Sequence, residues 1–148
     1  MLICGQVNPP PPSDPNYNGA YLNEKDIKEK AANLKNLPLW IEHDKKTEVG
    51  RILQGWVDPQ AGSMWALAEI DVSNIEGAMA AAAIKHNKLQ DFSIGWTVDL
   101  EEDKNGHVKI SQKVIHEVSL VKEGAQDNCH IYHRECPGKS LMQYKQSL

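Results

Sequence analysis

"LPLWIEHDKKTEVGRI", Leu37 to Ile52, predicts a buried strand that ends at a histidine and resumes after a charged turn. Leu39–Glu42 and Glu48–Val57 are the two strand-like runs, and His43 stands at the end of the first. A histidine at that position is either a solvent-exposed strand-end residue or one member of a catalytic set. Which of the two applies depends on the side chains that the rest of the chain brings beside it.

Six apolar runs along the chain predict strands, and a seventh candidate lies in the tail. They are Leu2–Val7, Leu39–Glu42, Glu48–Val57, Met64–Val72, residues 91–102, residues 107–121 and, as the seventh candidate, Asn128–Tyr132. Asn105 and Gly106 stand between the two longest runs and predict a hairpin turn, because both residues tolerate positive φ.

Two helices are predicted between the strands. Asn23 is a favourable N-cap for the first, which is short. Ser73 and Glu76 form the S-x-x-E capping box, which predicts an alanine-rich second helix extending to about Lys88. Six or seven strands and two helices predict a mainly β fold with some α: a small antiparallel β-barrel, or a folded sheet, flanked by helices.

The length of the chain predicts a single domain. Its 148 residues suffice to bury a core, and the sequence shows no internal repeat or second domain. We therefore expect one domain over residues 1–148, with residues 1–126 as its core and residues 127–148 as a tail of unassigned structure.

Composition and charge exclude several classes of function. The net charge of −4 argues against non-specific binding to nucleic acid or to an anionic membrane. No apolar run approaches the roughly 18 residues needed to cross a bilayer, and the first residues lack the features of a signal peptide. Cys4, Cys129 and Cys136 are an odd and sparse set, which argues against a disulfide framework and favours a reducing, intracellular setting.

Polar side chains that interrupt apolar strands are the candidates for catalysis. Ser93 lies in "FSIGW", where Gly95 allows close approach of backbone or substrate. A serine is nucleophilic at neutral pH only beside a base that takes its proton, a role that His43 would fill. His116 and Glu117 in "VIHEVSLV" are candidates to orient that base. Since adjacent strand residues point to opposite faces, only one of them can face a given site.

Each candidate also has an ordinary structural interpretation. Ser93 is compatible with a half-buried serine bonded to a backbone carbonyl, and His43 with a solvated strand end. His116 and Glu117 are compatible with strand side chains that reach solvent. Spacing along the chain does not by itself bring the three segments together.

The tail contains a second cluster with metal-binding chemistry. "CHIYHREC" places Cys129, His130, His133 and Cys136 in one short run, and thiolate and imidazole are zinc ligands. Structural zinc sites usually draw their ligands from two separated segments, so we predict no metal here. The four tryptophans lie in apolar strands and are predicted to be core or barrel-wall residues.

The order of these motifs resembles the maturation proteases of viral capsids. "LPLWIEH", followed by V-G, is similar to the L-P-[LI]-N-I-D-H segment of the herpesvirus assemblins. Three further segments resemble the tailed-phage prohead proteases. His43-Asp44 resembles their histidine-aspartate pair, "SIGW" their S-[IV]-G-[FYW] motif, and "EVSLV" (Glu117–Val121) their E-[VI]-S-L-V motif. The similarity extends from about Leu2 to Gln126, and three motifs in this order are more specific than any one alone.

The resemblance implies a serine endopeptidase with a herpesvirus-protease-like fold and no cofactor. It makes Ser93 the nucleophile and His43 the general base that later protonates the leaving amine. Glu117 is the favoured third member, as in the phage relatives, and His116 is the alternative if a bulge shifts the register. The paired arginines that follow glycine in assemblins have no counterpart here, so the backbone N–H of Ala125 is the predicted oxyanion donor.

The resemblance also implies a biological setting. The expected substrates are capsid scaffold and major capsid proteins, and the protease itself. The expected location is the procapsid interior in an infected cell, cytoplasmic in a bacterial host or nuclear for a herpesvirus-like virus. Assemblins work as dimers, so a homodimer is expected. The alternative function is a non-catalytic barrel that serves as a scaffold or binding module in a virion or prophage.

Overall fold

The computed structural model describes residues 1–137 and 139–146, which are built around one six-stranded sheet. The elements are β1 (Leu2–Asn8), α1 (Glu24–Ala31), a 3₁₀ turn (Ala32–Leu34), β2 (Pro38–Ile41), β3 (Asp44–Val57), β4 (Met64–Ile70), α2 (Ile75–Lys85), β5 (Asp91–Glu102), β6 (Val108–Val121), β7 (Glu135–Cys136), β8 (Lys139–Ser140) and α3 (Leu141–Gln146). The first six predicted strands and both predicted helices are confirmed. The β7–β8 hairpin and α3 in the tail were not predicted.

The strand order in the sheet is β1-β4-β3-β2-β6-β5, so β1 and β5 are its two edges. Neighbouring strands are antiparallel except for β2 and β6, which run parallel with Ile41 beside Leu120. A parallel pair cannot be joined by a hairpin, and here the connection contains β3, β4, α2 and β5. The parallel pairing brings the end of β2 next to the end of β6.

The sheet is open, so the predicted barrel is wrong and the predicted folded sheet is right. The candidate seventh strand, Asn128–Tyr132, forms only isolated bridges, Tyr132 with Cys4 of β1 and His130 with Asp91 of β5. Cys129 and Ile131 bond on the β5 side and Tyr132 bonds to β1, so the segment forms a ladder with neither edge. The segment covers both edges without becoming a strand.

The main core is formed by side chains from all six strands of the sheet and from α1 and α2. Its fully buried members include Ile3, Leu39, Ile52, Phe92 and Leu120. Burial of a side chain of this size contributes roughly 1.5–3 kcal/mol. Because side chains alternate along a strand, Phe92 and Leu120 in the core leave Ser93 and Ser119 on the opposite face of the sheet.

The N-cap prediction is right for α1 and wrong for α2. Asn23 caps α1 and forms a capping box with Asp26, each side chain accepting a bond of 2.8 Å from the other residue's backbone N–H. α2 is capped by Asn74, one residue after the predicted Ser73. The hydroxyl of Ser73 bonds instead to the carboxylate of Asp71, before the helix begins. α2 also ends earlier than predicted.

A disulfide between Cys4 and Cys136 joins the tail to β1, so the prediction against disulfides is wrong. The two cysteines are 132 positions apart, and their proximity results from the tail folding back onto β1. Cys129 is free and buried, and this burial raises the pKa of its thiol to about 11. Within residues 1–137 and 139–146, no helix is long and apolar enough to span a membrane.

Candidate active site

Two neighbouring strands present polar side chains on the face of the sheet away from the core. Ser93 of β5 is paired with Ser119 of β6, and Gly95 with Glu117. Paired residues lie side by side on one face, and residues two apart on a strand share a face. The pairing therefore brings the serine of "FSIGW" and the glutamate of "EVSLV" close together, as the motifs predicted.

His43 reaches the same face from the turn that joins β2 and β3. Ile41 and Asp44 are paired, so Glu42 and His43 alone make the turn, with φ values of 50° and 58°. Two positive φ values are the pattern of a type I′ hairpin turn, and such backbone costs a non-glycine residue roughly 1–3 kcal/mol. We predicted a longer charged turn before a strand at Glu48. β3 instead resumes at Asp44, because a two-residue turn is enough.

Three hydrogen bonds anchor this turn to β6. The N–H of Glu42 donates to the carbonyl of Leu120 at 3.0 Å, and its carboxylate accepts from the N–H of Lys122 at 2.8 Å. The N–H of His43 donates to Oγ of Ser119 at 3.0 Å. These bonds are available because the parallel strands β2 and β6 end beside each other, and they hold the imidazole in place despite its unfavourable backbone.

A continuous chain of hydrogen bonds runs from Ser93 to Ser119. Nε2 of His43 lies 3.0 Å from Oγ of Ser93, and Nδ1 lies 2.5 Å from Oε1 of Glu117. Oε2 of Glu117 accepts from Oγ of Ser119 at 2.7 Å. A carboxylate accepts hydrogen bonds, so this pairing places the ring proton on Nδ1 and directs the lone pair of Nε2 at the hydroxyl of Ser93.

In this chain of hydrogen bonds the acid is buried and the histidine is partly exposed. The side chain of Glu117 is 3% exposed, whereas that of His43 is 43% exposed. A buried carboxylate is stable only when its oxygens accept hydrogen bonds, and each oxygen of Glu117 accepts one. The hydroxyl and the imidazole are therefore within reach of a substrate while the acid is shielded from water.

Gly95 makes room for the acid. A β-carbon at this position would overlap with Oε1 of Glu117, its neighbour on β6. We predicted that Gly95 allows backbone or substrate to approach, but the group that comes close is this carboxylate. Because any other residue would displace it, the glycine of "SIGW" is explained by the position of Glu117.

His116 is the bulged residue of β6. Trp96 pairs with Ile115 and the preceding glycine with Glu117, so His116 is skipped in the pairing. The bulge on which the alternative role of His116 depended is therefore present. His116 is exposed, and its Nε2 lies 2.6 Å from Oγ1 of Thr97. The hydrogen bond of His116 is with β5, whereas the group that accepts from Nδ1 of His43 is the carboxylate of Glu117.

Ala125, the predicted oxyanion donor, lies in the exposed loop after β6. It borders a cavity of about 360 Å³ against the proline-rich N-terminal loop, and neither Ser93 nor His43 lines that cavity. The N–H of Gly124, the residue before it, donates to the carboxylate of Asp91 at 2.8 Å. The role of Ala125 stays a prediction.

The cysteine and histidine cluster of the tail is used for other contacts. Cys136 forms the disulfide, so it is not available as a thiolate ligand. Nδ1 of His130 lies 2.9 Å from the carboxylate of Asp91, and Cys129 is buried. Among the described residues, no three or more histidine, cysteine, aspartate and glutamate side chains are grouped to hold a metal ion.

Two groups that hold the site together were not predicted from the sequence. The hydroxyl of Ser119 contacts both Glu117 and the backbone of His43, and the carboxylate of Glu42 anchors the turn. Ser119 had a signal in the sequence, since a residue two positions after Glu117 on a strand shares its face. Glu42 had none, because its bond depends on the parallel pairing of two strands.

Comparisons with known proteins relate the chain to viral proteases. The model of a family described as caudovirus prohead serine protease matches residues 19–143. The match includes more of the tail than the predicted similarity over about residues 2–126, and it leaves out β1. No significant match is found among curated protein sequences.

Solved herpesvirus proteases share the fold. The protease of Kaposi's sarcoma-associated herpesvirus with a hexapeptide phosphonate inhibitor is 19% identical, with a TM-score of 0.63, over 88% of this chain and 63% of that one. The same viral protease with an allosteric inhibitor is 17% identical, with a TM-score of 0.56, over 100% and 83%. Varicella-zoster virus protease is 14% identical, with a TM-score of 0.50, over 88% and 62%.

These matches confirm the predicted resemblance to capsid-maturation proteases and the mainly β, herpesvirus-protease-like fold. At such low identity the likeness to the herpesvirus enzymes shows the fold alone. The chain spans 63% of the first of these structures. The family match confirms the predicted relation to the tailed-phage prohead serine proteases.

Proposed function

Because the chain belongs to the caudovirus prohead serine protease family, we propose that Ser93, His43 and Glu117 carry out its peptide-bond hydrolysis. Ser93 is the nucleophile, His43 the general base and acid, and Glu117 the group that orients the base. The supporting observation is the hydrogen-bond chain, 3.0 Å from Ser93 Oγ to Nε2 and 2.5 Å from Nδ1 to Oε1. A nucleophile bonded to a base that a third group orients is the arrangement that activates a serine.

In the first half of the reaction, Nε2 of His43 takes the proton of Ser93 as Oγ attacks the scissile carbonyl carbon. The product is a tetrahedral oxyanion beside an imidazolium ring, which the carboxylate of Glu117 stabilises through Nδ1–H. Nε2 then gives its proton to the leaving amine nitrogen, the C–N bond breaks, and an acyl ester on Ser93 remains.

In the second half, a water molecule takes the place of the amine. Nε2 of His43 removes a proton from this water as its oxygen attacks the ester carbonyl. The second tetrahedral oxyanion collapses, the ester C–O bond breaks, and Nε2 returns the proton to Oγ of Ser93. The products are the new carboxyl terminus and the regenerated serine.

The two oxyanions require a hydrogen-bond donor, and we assign it to the backbone N–H of Ala125. The loop that carries Ala125 is tied to the strand of the nucleophile, because Gly124 N–H donates to the carboxylate of Asp91 at the start of β5. A backbone donor needs no particular side chain, which suits the absence of arginines after Gly124.

Capsid scaffold and major capsid proteins, and the protease itself, are the proposed substrates. The fold relative with a hexapeptide phosphonate inhibitor supports a peptide substrate, since that inhibitor is a peptide with a phosphonate group. Two further relatives were solved with compounds described as dimer disruptors, which supports a homodimer. The prohead family supports the cytoplasm of a bacterial host as the cell compartment. We also propose that residues 1–148 form one protease domain, with residues 1–126 as its core.

A fluorophosphonate probe tests the assignment of the nucleophile. The probe forms a bond between phosphorus and an activated serine oxygen and releases fluoride. We expect the wild-type protein to be labelled and Ser93→Ala to remain unlabelled. Ser111→Ala is the matched control, because Ser111 is an exposed hydroxyl on the β5–β6 hairpin, and it should be labelled like wild type.

Circular dichroism of all three proteins shows whether each is folded. Equal labelling of Ser93→Ala would mean that another serine is the nucleophile. A folded wild-type protein that takes no label would contradict the proposal and favour the non-catalytic scaffold or binding module.

A further inference from the structure

We propose that Ser119 is a positioning residue, whose hydroxyl fixes Glu117 and His43 relative to each other. The inference rests on the proposed roles of these two residues in catalysis. The side chain of Ser119 is 0% exposed, so neither solvent nor substrate contacts it directly. Its effect on the reaction passes through the acid and the base that it contacts.

A single hydroxyl makes both contacts. Oγ of Ser119 donates to Oε2 of Glu117 at 2.7 Å and accepts from the backbone N–H of His43 at 3.0 Å. A hydroxyl has one proton to donate and lone pairs to accept, so the two bonds use it in compatible roles. The acid and the base therefore share one buried anchor.

The bond to Oε2 sets the direction of the carboxylate. Oε1 of Glu117 contacts Nδ1 of His43 at 2.5 Å, and the position of Oε1 depends on where the second oxygen is held. Without the hydroxyl of Ser119, Oε2 becomes a buried acceptor that has lost the donor described here, and an unpaired buried acceptor is unfavourable. The carboxylate then turns toward another donor and no longer points Oε1 at the ring.

The bond to the backbone holds the turn that carries the base. His43 has a φ of 58°, which β6 has to stabilise against relaxation. The other turn residue, Glu42, donates its N–H to the backbone carbonyl of Leu120, a bond that depends on no side chain. The N–H of His43 depends on the side chain of Ser119 and is lost when that hydroxyl is removed.

Three variants separate a positioning role from a purely structural one. Ser119→Ala removes both bonds with little change in volume, and Ser119→Thr keeps the hydroxyl. Ser63→Ala is the matched control, because Ser63 is 1% exposed and its hydroxyl accepts one bond of 2.9 Å from the indole of Trp65. We expect Ser119→Ala to lower kcat about 10–100-fold with KM nearly unchanged. Ser63→Ala should lower stability, by less because one bond is lost, and leave kcat unchanged.

The tautomer of His43 gives a readout that a structural role would not move. Nitrogen-15 NMR of histidine-labelled protein, at a pH where the imidazole is neutral, distinguishes Nδ1–H from Nε2–H. We expect the Nδ1–H form in wild type and Ser63→Ala, and a mixture of the two forms in Ser119→Ala. If Ser119→Thr folds, its kcat and tautomer should lie close to wild type. If it does not fold, Ser119→Ala decides the question alone.

The measurements distinguish failure of the positioning role of Ser119 from failure of the proposed function. Fluorophosphonate labelling of wild type at Ser93 supports the proposed function whatever Ser119→Ala does. With that labelling in place, a Ser119→Ala protein with wild-type kcat and an unchanged tautomer would overturn the positioning role. Loss of kcat with an unchanged tautomer would overturn the part of this role that passes through Glu117 and would leave the bond to the backbone N–H of His43 as its only basis.

Discussion

Of the histidine–carboxylate pairs in the described residues, two lie near the start of β5, and they differ in how far each acid is buried and in what the histidine contacts next. In the first, Nδ1 of His43 is 2.5 Å from Glu117, whose side chain is 3% exposed. In the second, Nδ1 of His130 is 2.9 Å from Asp91, whose side chain is 15% exposed. The ring of His43 continues to the hydroxyl of a serine at 3.0 Å.

The second pair has a different task. The other oxygen of Asp91 accepts from the N–H of Gly124, so this carboxylate ties the tail and the loop after β6 to the start of β5. Contact between a histidine and an acid is therefore not enough to indicate catalysis. Burial of the acid and extension of the hydrogen bonds to a serine hydroxyl distinguish the first pair.

Removal of each histidine gives the largest expected contrast. His43→Ala should lower kcat about 10⁴–10⁶-fold, because Ser93 loses the base that takes its proton. His130→Ala, in which only a partly exposed pair is lost, should change kcat by no more than about threefold. Steady-state cleavage of a capsid-protein substrate measures both. Comparable losses in the two variants would remove the distinction between the pairs.

Neutralisation of each acid gives the next contrast. Glu117→Gln should lower kcat about 10³–10⁴-fold, because an amide that donates to Nδ1 favours the wrong ring tautomer. Asp91→Asn should cost less than about tenfold, since its hydrogen bonds hold a loop and the tail. His116→Gln belongs in the same series, and a larger loss there than in Glu117→Gln would make His116 the third member.

A β-carbon at Gly95 tests whether the buried acid has to stay where it is. Gly95→Ala should displace the carboxylate of Glu117 and lower kcat about 100-fold, the effect of a displacement near 1 Å. Gly106→Ala is the control, because a β-carbon there meets nothing closer than 3.7 Å. With its φ of 79°, Gly106→Ala should lower stability by about 1 kcal/mol or more without affecting kcat. Wild-type kcat in Gly95→Ala would show that the position of the acid is not critical.

Removal of the disulfide should loosen the tail, which carries His130, and should not affect the pair of His43 and Glu117. The double variant Cys4→Ala/Cys136→Ala should lower the free energy of unfolding by about 2–5 kcal/mol, measured by urea denaturation. At temperatures where the protein stays folded, kcat should remain within about twofold of wild type, since the chain from Ser93 to Glu117 lies outside the tail. Dithiothreitol should destabilise wild type but not the variant. A large fall in kcat would mean that the tail supports the active site directly.

The parts of the site that were predictable from the sequence are those that short motifs encode. Ser93 and Glu117 stand in strand segments whose apolar neighbours alternate, so their shared face follows from the pairing of one hairpin. The position of His43 depends on a parallel contact between β2 and β6, which the local sequence pattern does not reveal. His43 was therefore predicted from its motif alone. The choice between adjacent residues His116 and Glu117 depended on a bulge, which the sequence raised but did not locate.

The remaining errors come from contacts between distant parts of the chain. The Cys4–Cys136 disulfide links positions 132 apart and depends on how the tail folds back. The barrel does not close, because Asn128–Tyr132 divides its hydrogen bonds between two edges instead of pairing along one. The N-cap of α2 shifted by one residue because Ser73 had a nearer partner in the carboxylate of Asp71.

The most direct test of the central claim is a crystal structure of the protein after reaction with a peptide phosphonate. We expect phosphorus bonded to Oγ of Ser93, Nε2 of His43 within hydrogen-bond distance of the adduct, and Glu117 still bonded to Nδ1. A phosphonyl oxygen beside the N–H of Ala125 would identify the oxyanion donor. Phosphorus bonded to another residue, or a His43 ring out of reach of the adduct, would contradict the account.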